Sequence, residues 1–108
     1  MSSVDRASLE ARLKAEGLEA SSWSTLAGER FEQRTNDFDK VVVAVEGSIT
    51  YMLSGYGVGF MLTPGERLDL PAHIPHDAIV GPKGVACLEA HLPAGSLGTK
   101  AKGRGYRW

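Results

Sequence analysis

Apolar residues recur at helical spacing in one stretch of the chain and at strand spacing almost everywhere after it. Between Asp5 and Glu16, Leu9 and Leu13 share a stripe among strong helix formers, and Glu10 stands four residues ahead of Lys14. This predicts a short helix. Gly17 supplies a C-terminal cap, and Leu18 is placed to fold back onto the leucine stripe. Such a helix is expected to lid or flank the remainder of the fold.

From Phe31 onward, β-branched and aromatic residues alternate with turn residues in short segments. Val41-Val42-Val43-Ala44-Val45 is apolar on both faces, so a strand there is expected to be buried inside and covered outside. Glu46-Gly47-Ser48 is read as a break, with strands following at Ile49 to Leu53 and Val58 to Thr63 around the turn Ser54-Gly55-Tyr56-Gly57. Arg67-Leu68-Asp69-Leu70 puts leucines on one face and charges on the other, which predicts a half-exposed strand. Two prolines within Pro71 to Pro75 make an irregular connection before a strand over Asp77 to Val80. Gly81-Pro82-Lys83-Gly84 reads as another turn. Val85 to Leu92 then sets Ala86, Leu88, Ala90 and Leu92 against Cys87, Glu89 and His91, whose face is free to line a cavity.

The organisation that follows is an N-terminal helix and lead-in over 1–22, a β-barrel over 23–93 and a basic tail over 94–108. The tail carries Lys100, Lys102, Arg104 and Arg107 without a carboxylate, and Tyr106 and Trp108 are its expected anchors, on the barrel or on a partner subunit. At 108 residues the chain suits one domain with one core, and its limited burial makes a homodimer the expected assembly. Twelve basic against thirteen acidic side chains remove the general electrostatic case for a nucleic-acid or membrane partner. Cys87 is the only cysteine, so no intramolecular disulfide or thiolate cluster forms, and with no leader or membrane-length apolar run the expected location is cytoplasmic.

The order of strands and turns from about Trp23 to Leu92 resembles the cupin superfamily. Members carry Gly, five residues, His-x-His, three or four residues, Glu, six residues, Gly. Here Gly28, Arg34-Thr35-Asn36, Lys40 and Gly47 fall on that ruler without a gap. The second motif, Gly, five residues, Pro-x-Gly, two residues, His, three residues, Asn, is met by Gly65, Pro71, His73, His76 and Val80. The resemblance implies an all-β double-stranded β-helix, with the two His, the Glu and the later His pointing inward onto a divalent transition metal. Of those four positions only His76 keeps its ligand; Arg34, Asn36 and Lys40 occupy the others. A divalent ion about 5 Å from an ammonium, at an effective dielectric of about 20, is repelled by ~6 kcal/mol. Arginine cannot relieve this by losing its proton.

Several readings follow from that substitution. Arg34, Lys40 and His76, with Asn36 as a further donor, suit a metal-free pocket for a small anionic ligand, a carboxylate or phosphate, with no cofactor. Alternatively Arg34 and Lys40 pair with Glu32, Asp37 or Asp39 in a non-catalytic structural or interaction barrel. A rebuilt metal site from His73, His76, His91 and Glu89 is the third reading, with a divalent transition metal as cofactor and oxygenase or isomerase chemistry. His76 is also a candidate catalytic acid/base. The resemblance allows this, because sugar-nucleotide epimerases of the same fold use histidine and tyrosine without a metal. Tyr51, the nearest tyrosine, lies on the alternation of Ile49 and Leu53 and reads first as a packed strand aromatic.

Overall fold

The computed structural model describes residues 5–108; the first four residues of the expected lead-in lie outside the described residues. Helix α1 spans Arg6–Ala15. Asp5 caps its start through Oδ1, which accepts from the Ala7 N–H at 3.2 Å. At its end Gly17 takes φ +81°, the Gly17 N–H donates to Lys14 O and the Leu18 N–H to Leu13 O. This is a Schellman cap, and it folds Leu18 onto Leu9 and Leu13 as the leucine spacing predicts.

Seven strands follow: β1 Ser21–Thr25, β2 Arg30–Arg34, β3 Phe38–Leu53, β4 Val58–Leu62, β5 Arg67–Leu70, β6 His76–Pro93 and β7 Lys102–Arg104. The frame is made by the two longest, β3 and β6, which pair antiparallel from Phe38 opposite Pro93 to Met52 opposite Asp77. Each therefore serves two half-sheets. In one half the order is β1, β6, β3, β5, β7; in the other β2 pairs the start of β6 and β4 pairs the end of β3. Folding the two halves over one another gives the expected jelly-roll barrel, and β1, which the residue pattern did not announce, starts two residues ahead of the boundary drawn at 22/23.

Two expected breaks are instead the hinges of continuous strands. Glu46-Gly47-Ser48 lies inside β3, and Gly81-Pro82-Lys83-Gly84 lies inside β6. The β3–β6 register shifts between Ala44 and Glu46 and again between Gly47 and Ile49, so extra residues bend the ladder without ending it. Gly47 and Gly84 both have positive φ, and a Cβ on Gly47 would fall 1.9 Å from Gly84 O. The bend needs glycine at this crossing.

Alternation then sorts the side chains. Val42, Ala44, Ile49, Tyr51 and Leu53 of β3 point into the barrel with Leu68, Leu70, Val80, Val85 and Cys87. Val41, Val43 and Val45 point outward and are covered by Leu9, Leu13 and Leu18, with Leu97 and Trp108 packed alongside. The doubly apolar valine run is explained by this cover. The outer face of the second half-sheet has no such cover: Thr50 stands between Met61 and Ile79 across the strands, and Met61 is 63% exposed.

Strand β5 departs from the half-exposed expectation, since Arg67 and Asp69 are as buried as the leucines. Arg67 donates to Asp69 at 2.6 Å and to Glu16 at 2.8 Å, and Arg104 of the tail pairs with Asp69 at 3.1 Å. Trp108 closes over this cluster, its Nε1 donating to Gly65 O at 2.8 Å and its ring stacked on Arg67 and Arg12. A charged face that alternation assigns to solvent is thus buried by helix and tail. Of the two expected tail anchors, Trp108 is packed, whereas the Tyr106 ring is exposed, with its hydroxyl accepting from neighbouring Arg107 and its carbonyl from Arg12.

The crossing of β3 and β6 makes a direct prediction. Gly47→Ala should destabilise the fold by more than ~2 kcal/mol, because the methyl meets backbone and not a flexible side chain. Gly55→Ala, which meets nothing within 4 Å, should change stability little. Urea unfolding of both variants against the parent chain checks this.

Candidate functional site

One end of the barrel interior opens as a pocket of about 160 Å³. Trp23 of β1 and Phe31 of β2, packed edge to face at 6.0 Å, form its apolar wall together with Ala78. Lys40, Tyr51, His76 and Glu89 supply the inner polar groups, and Glu32, Arg34 and Asp77 complete the lining. Strand pairing explains the convergence: Arg34 lies opposite His76 on the β2–β6 ladder, and Lys40 lies at the inward-facing start of β3.

Lys40 is the unusual member. Its side chain is 10% exposed, yet its ammonium makes no hydrogen bond among the described residues. Its nearest carboxylate oxygen, Glu89 Oε1, is 3.9 Å away, and the Tyr51 ring centroid is 5.6 Å away. Glu89 is otherwise engaged: Oε1 accepts from Trp23 Nε1 at 3.1 Å and Oε2 from His91 Nε2 at 2.6 Å. Burial lowers the Lys40 pKa below the ordinary lysine range; Glu89 opposes the shift and Arg34 adds to it. An ammonium without a short partner in this setting retains the capacity to bind something else.

His76 is buried, and its Nδ1 donates to Ile74 O at 2.9 Å, which leaves Nε2 as an acceptor in the neutral ring. Burial holds its pKa down; the Ile74 carbonyl pulls the other way, and Lys40 and Arg34 push it further down against Asp77. The pocket therefore sets two cations, Lys40 and Arg34, and a neutral imidazole among the carboxylates Glu32, Asp77 and Glu89. Tyr51 is 3% exposed, and burial raises its pKa strongly, so its hydroxyl stays protonated.

Other expected positions fall elsewhere. Asn36 is outside the pocket lining, and its backbone carbonyl accepts from the His73 N–H at 2.8 Å. Asp39 is fully buried as an acceptor for the N–H groups of Ala72, Gly95 and Leu97. Neither it nor Glu32 or Asp37 forms an ion pair with Lys40 or Arg34; the carboxylate nearest Lys40 is Glu89. The rebuilt metal set is not brought together. His73 is an exposed loop residue at φ +67°, and His91 is exposed, stacked on Phe38 and hydrogen-bonded to Glu89. Among the described residues no three His, Cys, Asp or Glu side chains are grouped to hold an ion. Trp23, Phe31 and Asp77 were not legible as site residues, because their place depends on which strands pair.

No protein-family model matches the chain, and neither does any curated protein. Solved structures do match. A cupin superfamily protein, DSY2733 of Desulfitobacterium hafniense, is 21% identical, with a TM-score of 0.61 over 70% of this chain and 67% of that one. The chain has a cupin fold. The conserved protein SPY1581 of Streptococcus pyogenes, of unknown function, is 18% identical with a TM-score of 0.60, and the match spans 64% of its length and 70% of this chain. The oxalate decarboxylase of Bacillus subtilis, described with Mn(II) centres, is 16% identical with a TM-score of 0.58 over 78% of this chain and 24% of that one. Among the described residues no helix is long and apolar enough to cross a membrane.

The four positions to which the cupin resemblance assigns metal ligands carry Arg34, Asn36, Lys40 and His76. They do not fit a divalent cation. The pocket lining offers one imidazole and the carboxylates Glu32, Asp77 and Glu89 beside the Lys40 ammonium and the Arg34 guanidinium, and Asn36 is not among its residues.

If Lys40 serves binding and not architecture, removing its charge should relieve the cost of burying it. Lys40→Met should leave the fold as stable or about 1 kcal/mol more stable near neutral pH, because Glu89 keeps its Trp23 and His91 donors. The sign follows from linkage. With a lowered folded-state pKa, the unfolded chain binds more protons, so parental stability rises with pH between the folded value and the ordinary lysine range. That rise should be missing in Lys40→Met. Denaturant unfolding across pH checks both outcomes, and a clear loss of stability in Lys40→Met would mark Lys40 as a structural ion-pair partner.

Proposed function

We propose that this cupin barrel is a metal-independent receptor for a small carboxylate. The observation that carries the reading is Lys40, a largely buried side chain that lines the pocket and whose ammonium makes no hydrogen bond among the described residues. A ligand carboxylate accepts charge-assisted hydrogen bonds from Lys40 inside and from Arg34 beside it, where partial exclusion of water strengthens both. Arg34 is free for this role, since it forms no ion pair among the described residues. The neutral His76 Nε2 then suits a ligand hydroxyl or a transferable proton, and Trp23 and Phe31 suit a short apolar body. The pocket volume of about 160 Å³ limits the ligand to a few heavy atoms, below the usual range for drug-sized ligands.

Lactate, acetate and inorganic phosphate are the probes. A carboxylate at ten times its Kd should stabilise the fold by about 1.4 kcal/mol, read as a rise in Tm, and Arg34→Ala and Lys40→Met should each abolish the rise. Manganese, iron, nickel, copper and zinc should give no comparable shift. Near-stoichiometric metal retained after chelation would overturn the reading, as would a carboxylate response that survives both substitutions.

A further inference from the structure

Lys40 is the only lysine of this chain placed inside the barrel: Lys14, Lys83, Lys100 and Lys102 are all exposed. It lines the pocket with apolar Trp23, Phe31 and Ala78 on one side and with His76 and Tyr51 beside it. The other buried nucleophile, Cys87, is packed among apolar core residues, and its pKa is raised to about 12 by burial, which leaves it an inert thiol. A largely buried amine whose nearest carboxylate stays 3.9 Å away, open to a small cavity that Arg34 also lines, is an arrangement in which lysine acts as a nucleophile toward carbonyl carbon. The same arrangement presents Arg34 to a carboxylate on the adjoining atom.

We propose that Lys40 forms a reversible imine with a small 2-oxo acid, its Nζ bonded to the ligand's carbonyl carbon while Arg34 holds the neighbouring carboxylate. The inference rests on the carboxylate-pocket reading and adds a covalent bond to it. The ammonium first gives a proton to an acceptor in the pocket, for which His76 Nε2 is suited because its Nδ1 is committed to Ile74 O. The amine lone pair then adds to the carbonyl carbon, and the C=O π pair moves onto oxygen to give a carbinolamine. Loss of the carbonyl oxygen as water forms the C=N bond. In sum the ammonium and the carbonyl give an iminium and one water: two of the three ammonium hydrogens leave on that oxygen, and the charge stays on nitrogen. No oxidant or reductant enters. The lowered Lys40 pKa agrees with this step, since it enlarges the fraction of free amine near neutral pH.

The test treats the wild-type chain with pyruvate and sodium cyanoborohydride, followed by intact mass and peptide mapping. The expected adduct weighs one pyruvate less one oxygen, because hydride and a proton saturate the imine, and it maps to Lys40 in preference to the four exposed lysines. Excess lactate should suppress it, and Arg34→Ala should reduce it by about tenfold through loss of the carboxylate contact. An adduct absent from Lys40, or spread evenly over all five lysines, overturns the proposal. Because the mapping uses the wild-type chain, its outcome does not depend on whether Lys40→Met folds. A Tm rise with lactate but no Lys40 adduct would sink the imine and leave the carboxylate receptor standing; neither response would sink both.

Discussion

The close approach of Gly47 to the Gly84 carbonyl is the constraint on which the other features of this barrel depend. Two strands of 16 and 18 residues are too long to lie in one small sheet and still enclose a core. They bend together at this crossing, through register shifts on β3 and positive φ at both glycines. The bend sends the two ends of each strand into different half-sheets. It also preserves inward-outward alternation on each side of the hinge, so Val42 and Tyr51 of the same strand both reach the interior. Lys40 and His76, which start their strands, come to the same open end as a result.

Buried charge is treated in two ways within this one frame. Asp39 and Arg67 are almost wholly inaccessible, and each is satisfied: Asp39 by three backbone N–H groups, Arg67 by two carboxylates and an indole face. Such groups fasten loops, helix and tail to the barrel, and their polar demands end there. Lys40 is almost as inaccessible, with only a 3.9 Å carboxylate that Trp23 and His91 already occupy. The contrast is between buried charges with their polar partners in place and a largely buried side chain whose nearest carboxylate is 3.9 Å away.

Much of this was legible in the residues. Leucine spacing and a glycine cap announced α1, the doubly apolar valine run announced a covered strand, and the glycine and proline ruler led to the barrel, where Lys40 and His76 are buried and Arg34, exposed, lines the same pocket. Local pattern carries these because each depends on neighbours a few residues away or on spacing preserved along one chain. The places where the pattern misled share a cause. Gly47 and Gly81–Gly84 read as turns because glycine marks departure from regular backbone, and whether that departure is a bend or an end depends on the partner strand. The charged face of β5 read as exposed because alternation says which residues share a face, not what covers it.

The sequence by itself determined the short helix and led to the all-β barrel, since both follow from residue type and from spacing along one chain. Tertiary structure alone decided which carboxylate neighbours Lys40. Asp37 and Asp39 lie within three residues of it, yet Glu89, diagonal to it on the adjacent strand β6, is the one within 4 Å. It alone also decided that Asn36 faces away, that His73 and His91 stand apart from His76, and that Trp23 and Phe31 close the wall. Each of these is a relation between side chains from different strands, and it comes into being only when non-local pairing sets register and the barrel closes.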